Sequence, residues 1–276
     1  MYASHSARLS AFGVVVEINS PGREIFEQCA ATLPGYWLRA GDGKADVCFD
    51  IEAPHHEPEG RRYFLFRENG ELLGGAINET QVRRRLARRM DYHLGAYARD
   101  CAFLHAGIVC HKGRAILLPG LSHAGKSTLT ASLVRAGAQY VSDDIAVIDR
   151  TGRAYFLSRA INLREDVARA LDLPSSAHME HLREGTLPVG AIMLLNFRRN
   201  EAVLDMRPLS KGETILRLIA NSMNGRHEPE TVIRCCAAAV SQAICYEGVR
   251  GEAETAAPLI LSSINDKEND DGQSKA

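Results

Sequence analysis

Residues 120–127 read Gly-Leu-Ser-His-Ala-Gly-Lys-Ser, a full G-x-x-x-x-G-K-[ST] pattern. The apolar run Ala115-Ile116-Leu117-Leu118 leads in, and Thr128-Leu129-Thr130-Ala131-Ser132-Leu133-Val134, patterned as a helix, leads out. That strand–loop–helix context is what a phosphate-binding loop needs. Glycines let the backbone turn its N–H groups toward a phosphate, Lys126 reaches the β/γ-phosphates, and the Ser127 hydroxyl can ligate magnesium. The following helix aims its unsatisfied N–H groups and partial positive charge at the same anion. The candidate nucleotide-binding residues are Gly120, Ser122, His123, Ala124, Gly125, Lys126, Ser127 and Thr128.

Beyond that helix, Gln139-Tyr140-Val141-Ser142-Asp143-Asp144-Ile145-Ala146-Val147-Ile148-Asp149 places two adjacent carboxylates inside a β-prone run. Within a strand they would face opposite sides. At a strand end both can approach one phosphate site, one holding magnesium while the other accepts a proton from an attacking hydroxyl. The bland alternative is an Asp-Asp turn between two strands. Upstream, His105 lies in Phe103-Leu104-His105-Ala106-Gly107-Ile108-Val109-Cys110. This reads as the first strand of a hairpin starting near His105 and turning through His111-Lys112-Gly113-Arg114. A lone histidine there is more often a strand residue than a catalytic one.

Taken together, these features resemble the catalytic domain of the bacterial HPr serine kinase/phosphorylase family, whose fold is related to phosphoenolpyruvate carboxykinase. The matching elements are His105-Ala106-Gly107, Gly120 to Ser127, Arg135-Ala136-Gly137 and Asp143-Asp144, in the family's order and spacing. A weaker likeness continues through Pro188 to Leu195 and Pro208-Leu209-Ser210, covering roughly residues 99–262. The resemblance implies an α/β fold: a P-loop domain with a mixed β-sheet and flanking helices. It also implies ATP and Mg2+ as cofactors. Asp143 would be the general base toward a serine hydroxyl, Asp144 and Ser127 the magnesium ligands, Lys126 the phosphate ligand, and His105 a support for the carboxylates. The related kinases assemble as homo-oligomers.

The departures from the family are specific. His123 and Ala124 replace a glycine and a small residue inside the loop. No Glu-Ile-Arg-Gly-Leu-Gly-like segment follows the Asp pair, where the chain reads Ser158 to Asp166 and then Glu184-Gly185-Thr186-Leu187-Pro188. The reverse, phosphorylase half-reaction and the phosphocarrier substrate are therefore not implied. The sequence looks more like divergent relatives, some of which phosphorylate a serine on ribosomally made peptide precursors, lasso peptides included.

Composition narrows the class. The chain has 276 residues, 45% hydrophobic and 24% charged, with a formal net charge of −1. That is ordinary for a globular protein and offers no electrostatic case for nucleic acid or acidic membranes. No run of roughly 18 apolar residues exists, so no membrane span is expected. The start, Met1-Tyr2-Ala3-Ser4-His5-Ser6, lacks signal-peptide character, and cytoplasmic residence is the default. Seven cysteines, none in a C-x-x-C, read as reduced core thiols. His178-Met179-Glu180-His181 has an H-x-x-H look but no further ligands near it.

Residues 1–98 read as a smaller, β-rich N-terminal unit, suited to holding a substrate. Strands are expected over Phe12 to Ile18 and Ala45 to Ile51, with a hairpin around Glu68-Asn69-Gly70. A helix is expected over 79–100. Its arginines, Arg83, Arg84, Arg85, Arg88, Arg89 and Arg99, form either a solvated face or a grip for phosphate or an acidic peptide. Residues 99–262 form the P-loop kinase domain. Within it a short helix is expected over Asn162 to Leu171, a buried strand over Ala191 to Phe197, a helix capped by Ser210 and Glu213, and another from Pro229. Residues 263–276 read as a disordered tail. The reading that follows is a kinase moving the γ-phosphate of ATP to a serine hydroxyl of a peptide or protein partner. The alternatives are a small-molecule kinase acting on an amino acid or sugar, and a nucleotide-binding regulator without transfer chemistry.

Overall fold

The computed structural model describes residues 5–52, 55–56, 62–73, 77–120, 124–156, 161–162, 176–177, 185–199 and 204–273. The chain divides into two compact units, Met1–Asp100 and Cys101–Ala276.

In the first unit the strands are β1 (His5–Ala11), β2 (Val14–Ser20), β3 (Leu38–Arg39), β4 (Val47–Ile51), β5 (His55–His56), β6 (Arg62–Tyr63), β7 (Phe66–Glu68) and β8 (Glu71–Leu72). Six of them form one sheet in the order β3-β1-β2-β4-β7-β8, with β2 and β4 parallel. The strand expected over Phe12 to Ile18 is β2, which starts at Val14, and Phe12 and Gly13 form the hairpin turn before it. Phe12 and Gly13 both take positive φ, 47° and 80°, and turn β1 into β2. That pair of left-handed residues matches the right-handed twist of the strands. Asn69 and Gly70 do the same between β7 and β8, at 49° and 84°.

Two helices, α1 (Arg23–Ala30) and α2 (Glu79–Tyr97), accompany the sheet. Asn78 caps α2 in a reciprocal box with Gln81, and Val82, Leu86, Met90 and Leu94 recur every four residues as its buried stripe. Val14, Val16 and Ile18 of β2 and Val47, Phe49 and Ile51 of β4 alternate into the same core. The arginines of the 79–100 segment mostly have work inside the unit. Arg89 forks onto Glu68, Arg85 donates to the Leu73 carbonyl, Arg83 lies 3.4 Å from Glu79, and Arg99 holds Asp46 and the Gly13 carbonyl. Arg84 and Arg88 are exposed.

The second unit contains β9 (Cys101–His111), β10 (Arg114–Pro119), α3 (Lys126–Arg135), β11 (Gln139–Ser142), β12 (Ile145–Asp149), β13 (Arg153–Tyr155), β14 (Ile161–Asn162), β15 (Ser176–Ala177), β16 (Thr186–Phe197), β17 (Asp205–Pro208), α4 (Lys211–Ala220), α5 (Pro229–Gln242), β18 (Ile244–Arg250) and α6 (Ala253–Gln273). Its sheet is mixed. β10 pairs with β9, β9 with β12, β12 with β13 and β13 with the start of β16. β16 then returns to pair in parallel with β10, so five strands close on themselves. β18 adds in parallel on β16, and β17 antiparallel on β18.

Alternation along these strands fills two cores. Leu104, Ala106, Ile108, Ala115 and Leu117 pack with α4 and α5 residues such as Leu218, Val232, Cys235 and Cys236. Val109, Ile116, Leu118, Met193 and Leu195 pack with Leu129 and Leu133 of α3 and Ala257 and Ile260 of α6. The unit is α/β, a mixed sheet with helices on both faces.

Ser210 caps α4 as expected, accepting from the Glu213 N–H, and α5 starts at Pro229. The helix expected over Asn162 to Leu171 and the His178/His181 pair lie outside the described residues, apart from Asn162 itself, which is in β14. The tail expected to be disordered is corrected by α6, which runs to Gln273. Ala256, Ala257, Ile260, Leu261 and Ile264 bury one face of that helix, and the backbone beyond them continues a helix already nucleated by packing.

Candidate active site

The hairpin through Lys112 and Gly113, with φ of 49° and 76°, sets β9 beside β10 so that Pro119 lies opposite Ala106. The phosphate loop leaves from there. Gly120 N–H donates to the His105 carbonyl at 3.2 Å, tying the loop's first residue to β9. Gly125 ends the loop in the left-handed region, φ 78°, as the N-cap of α3. Only glycine takes that turn without strain, and it puts Lys126 and Ser127 at the start of the helix. Leu129 N–H closes the first turn on the Gly125 carbonyl at 3.0 Å. Gly120, Ala124, Gly125, Lys126, Ser127 and Thr128 are thus placed at the loop and helix start, whereas Ser122 and His123 lie outside the described residues.

The Asp pair sits in a break between β11 and β12. Both strands run antiparallel to β9, with Ser142 opposite Ile108 and Ile145 opposite His105. The two aspartates therefore fall across from Gly107 and Ala106, and Ala106 N–H donates to the Asp144 carbonyl at 3.1 Å. Asp143 is buried, 6% exposed, and accepts a hydrogen bond from the Tyr140 hydroxyl at 3.0 Å. Asp144 is exposed. Both act on Lys126. Burial pushes the Lys126 ammonium below its ordinary range, and Asp144 and Asp143 oppose that shift by favouring its charged form.

His105 joins the two halves of the site through its backbone. Its carbonyl accepts from Gly120, and its N–H donates to the Asn221 carbonyl at 2.8 Å. The ring is half-buried, and its Nδ1 is enclosed with no hydrogen-bond partner among the described residues.

No family model matches the sequence, and no curated protein matches it. Among solved structures the chain is similar to the HPr(Ser) kinase/phosphatase from Coxiella burnetii. The identity is 14% and the TM-score 0.33, over 62% of this chain and 98% of that one. Both measures are low, and the site's own geometry is what bears on its chemistry.

Two residues of this region have no sequence motif to announce them. Asn224, fully buried, accepts from Phe103 N–H at 3.0 Å and donates to the Cys101 carbonyl at 2.8 Å. With Met223 N–H on the Phe103 carbonyl, the 221–224 segment takes over beside β9 where β10 has ended. Arg250, at the end of β18, donates from Nη2 to the Gly125 carbonyl at 3.0 Å. The signals available were weak: an Asn-Gly after a helix and an arginine ending an apolar strand.

The donor set suits magnesium. Ser127 and the two aspartates offer only hard oxygens, and Mg2+ is commonly held by one or two carboxylates together with substrate phosphates. Among the described residues no cluster of three or more His, Cys, Asp or Glu side chains forms a self-sufficient metal cage. The cysteines are free, and burial pushes the Cys236 thiol up to about 12 and those of Cys29 and Cys48 up to about 11, which makes them poor nucleophiles. No helix among the described residues is long and apolar enough to cross a membrane.

Proposed function

We propose that the chain is an ATP-dependent phosphotransferase that moves the γ-phosphate to a serine hydroxyl of a peptide or protein. The observation that carries this reading is that Asp143 and Asp144, in the break between β11 and β12, both favour the charged form of Lys126 at the start of α3. They would supply the proton acceptor and a metal ligand beside the phosphate ligand.

In this reading Lys126 and the N–H groups of the first turn of α3 hold the β- and γ-phosphates. Ser127 and Asp144 hold the magnesium ion, which neutralises charge on the phosphate oxygens when bound. Asp143 takes the proton as the acceptor hydroxyl oxygen bonds to the γ-phosphorus, and the bond from that phosphorus to the bridging oxygen breaks to release ADP. The Tyr140 hydroxyl donates to the Asp143 carboxylate at 3.0 Å and fixes its orientation. His105 steadies the site by tying the loop to the strand opposite the aspartates.

The test is transfer from γ-labelled ATP with magnesium into a desalted host lysate and, separately, its small-molecule fraction. Wild type and Asp143→Asn run side by side. Label in a peptide or protein band that disappears with Asp143→Asn is the expected result. Label confined to small molecules moves the acceptor to an amino acid or sugar. Nucleotide binding without any consumption of ATP overturns the transfer reading in favour of a regulator.

A further inference from the structure

The second unit buries a cation that the proposed chemistry does not use. Arg250 is 2% exposed. It ends β18, which lies parallel to β16, itself parallel to β10. The phosphate loop, Phe197 and Arg250 thus stand at the carboxyl ends of three parallel strands.

The guanidinium is committed to backbone. Nη2 donates to the Gly125 carbonyl and Nη1 to the Gly251 carbonyl, each at 3.0 Å, while the carbon of the group lies 5.3 Å from the centre of the Phe197 ring. Nε is buried with no partner among the described residues. Glu252 favours the charged form, but burial outweighs it and holds the group below its ordinary range. A buried cation without a close carboxylate is costly. Its position adds to that cost, because it touches the residue that caps the positive end of α3, next to Lys126 in the chain. A β-carbon on Gly125 would lie 2.6 Å from Nη2, so the guanidinium packs directly against this glycine.

We propose that Arg250 is a positioning residue for nucleotide binding. It fixes the Gly125 peptide in its left-handed turn, which aims the first-turn N–H groups of α3. It also adds a positive charge behind them that a bound polyphosphate compensates. The proposal rests on the nucleotide reading of the phosphate loop.

The test titrates the full chain with a fluorescent ATP analogue and magnesium, comparing wild type, Arg250→Ala, Arg250→Lys and Lys126→Ala. Folded fraction is followed by circular dichroism. Loss of a charged hydrogen bond predicts that Arg250→Ala binds about tenfold or more weakly among folded molecules. Arg250→Lys, with one donor able to reach Gly125, falls between the two. Free guanidinium ion, at concentrations far below those that unfold proteins, restores binding to Arg250→Ala, which a purely structural role would not produce. Should Arg250→Ala fail to fold, the affinity of Arg250→Lys decides in its place.

Affinity within about twofold of wild type in the folded Arg250 variants, a difference worth less than half a kcal/mol, overturns the proposal and leaves the nucleotide reading standing. A wild type that binds no nucleotide removes that reading and this inference with it.

Discussion

The Tyr140 hydroxyl and the Asp143 carboxylate, both buried, meet at 3.0 Å across the last turn of chain before the Asp pair. That hydrogen bond fixes the orientation of the carboxylate that the proposed transfer needs. Tyr140→Phe should therefore lower kcat for phosphoryl transfer with little change in nucleotide affinity, alongside a stability loss of about 1–2 kcal/mol. An unchanged kcat with lowered stability would make the contact structural only.

Gly107 has no room for a side chain. A β-carbon there would lie 2.5 Å from the Thr130 hydroxyl oxygen on α3, while Leu118 and the Asp143 carbonyl stay at 3.6 and 3.7 Å. Gly107→Ala should cost about 1–3 kcal/mol by overpacking and weaken nucleotide binding by shifting α3 off β9. Because the Thr130 oxygen is the obstacle, Thr130→Ala added to Gly107→Ala should recover most of both losses. Thermal melts and nucleotide titrations of the four proteins form a double-mutant cycle, and strict additivity would refute the steric account.

What could be read ahead of the fold was local. The phosphate loop, the Asn69-Gly70 hairpin, the Ser210 cap and the Pro229 start all depend on residues within a turn of one another. The Phe12-Gly13 hairpin escaped because a phenylalanine at positive φ breaks the usual turn vocabulary and sits inside a β-branched run. The starting point of β9 at Cys101, four residues ahead of His105, is set by partners from β12 and from Asn224, more than a hundred residues on. Closure of the strand ring depends on β16 passing from β13 to β10 at Pro188-Val189-Gly190, residues whose meaning only those distant partners supply. Arg250 is invisible for the same reason, since its meaning comes from Gly125, 125 residues earlier. Burial of Ile260, Leu261 and Ile264 anchors α6, a tertiary effect that the polar composition after them does not announce.

Lys126 makes nucleotide binding pH-dependent. Burial lowers its pKa below the ordinary lysine value of 10.5, despite Asp144 and Asp143. Between that lowered value and 10.5 the unfolded chain keeps a proton that the native state has shed, so stability rises with pH there. Affinity for Mg-ATP goes the other way, falling by up to about tenfold per pH unit once the ammonium is lost. The alkaline loss should begin earlier than an exposed lysine would allow, and Lys126→Arg, if it binds, should be flat over the same range. A wild-type affinity constant up to pH 10.5 would remove Lys126 from the phosphate contacts.

Acid should unfold the first unit through Glu68. Its carboxylate receives Arg89 at 2.6 Å and lies 3.0 Å from the His93 ring nitrogen. Burial alone would raise its pKa, but the bonds from Arg89 and His93 together outweigh burial and lower it below 4.5. A lowered carboxylate contributes stability that is fully present above the unfolded value and is lost as pH falls through the folded one. Glu68→Gln should therefore cost about 1–3 kcal/mol at neutral pH, and the difference from wild type should shrink toward zero as acid protonates the wild-type group. The chain's single tryptophan, Trp37, lies buried in this unit, so its emission during urea unfolding follows the first unit directly. Parallel stability curves for the two proteins from neutral pH down through pH 4 would show that Glu68 does not carry the acid transition.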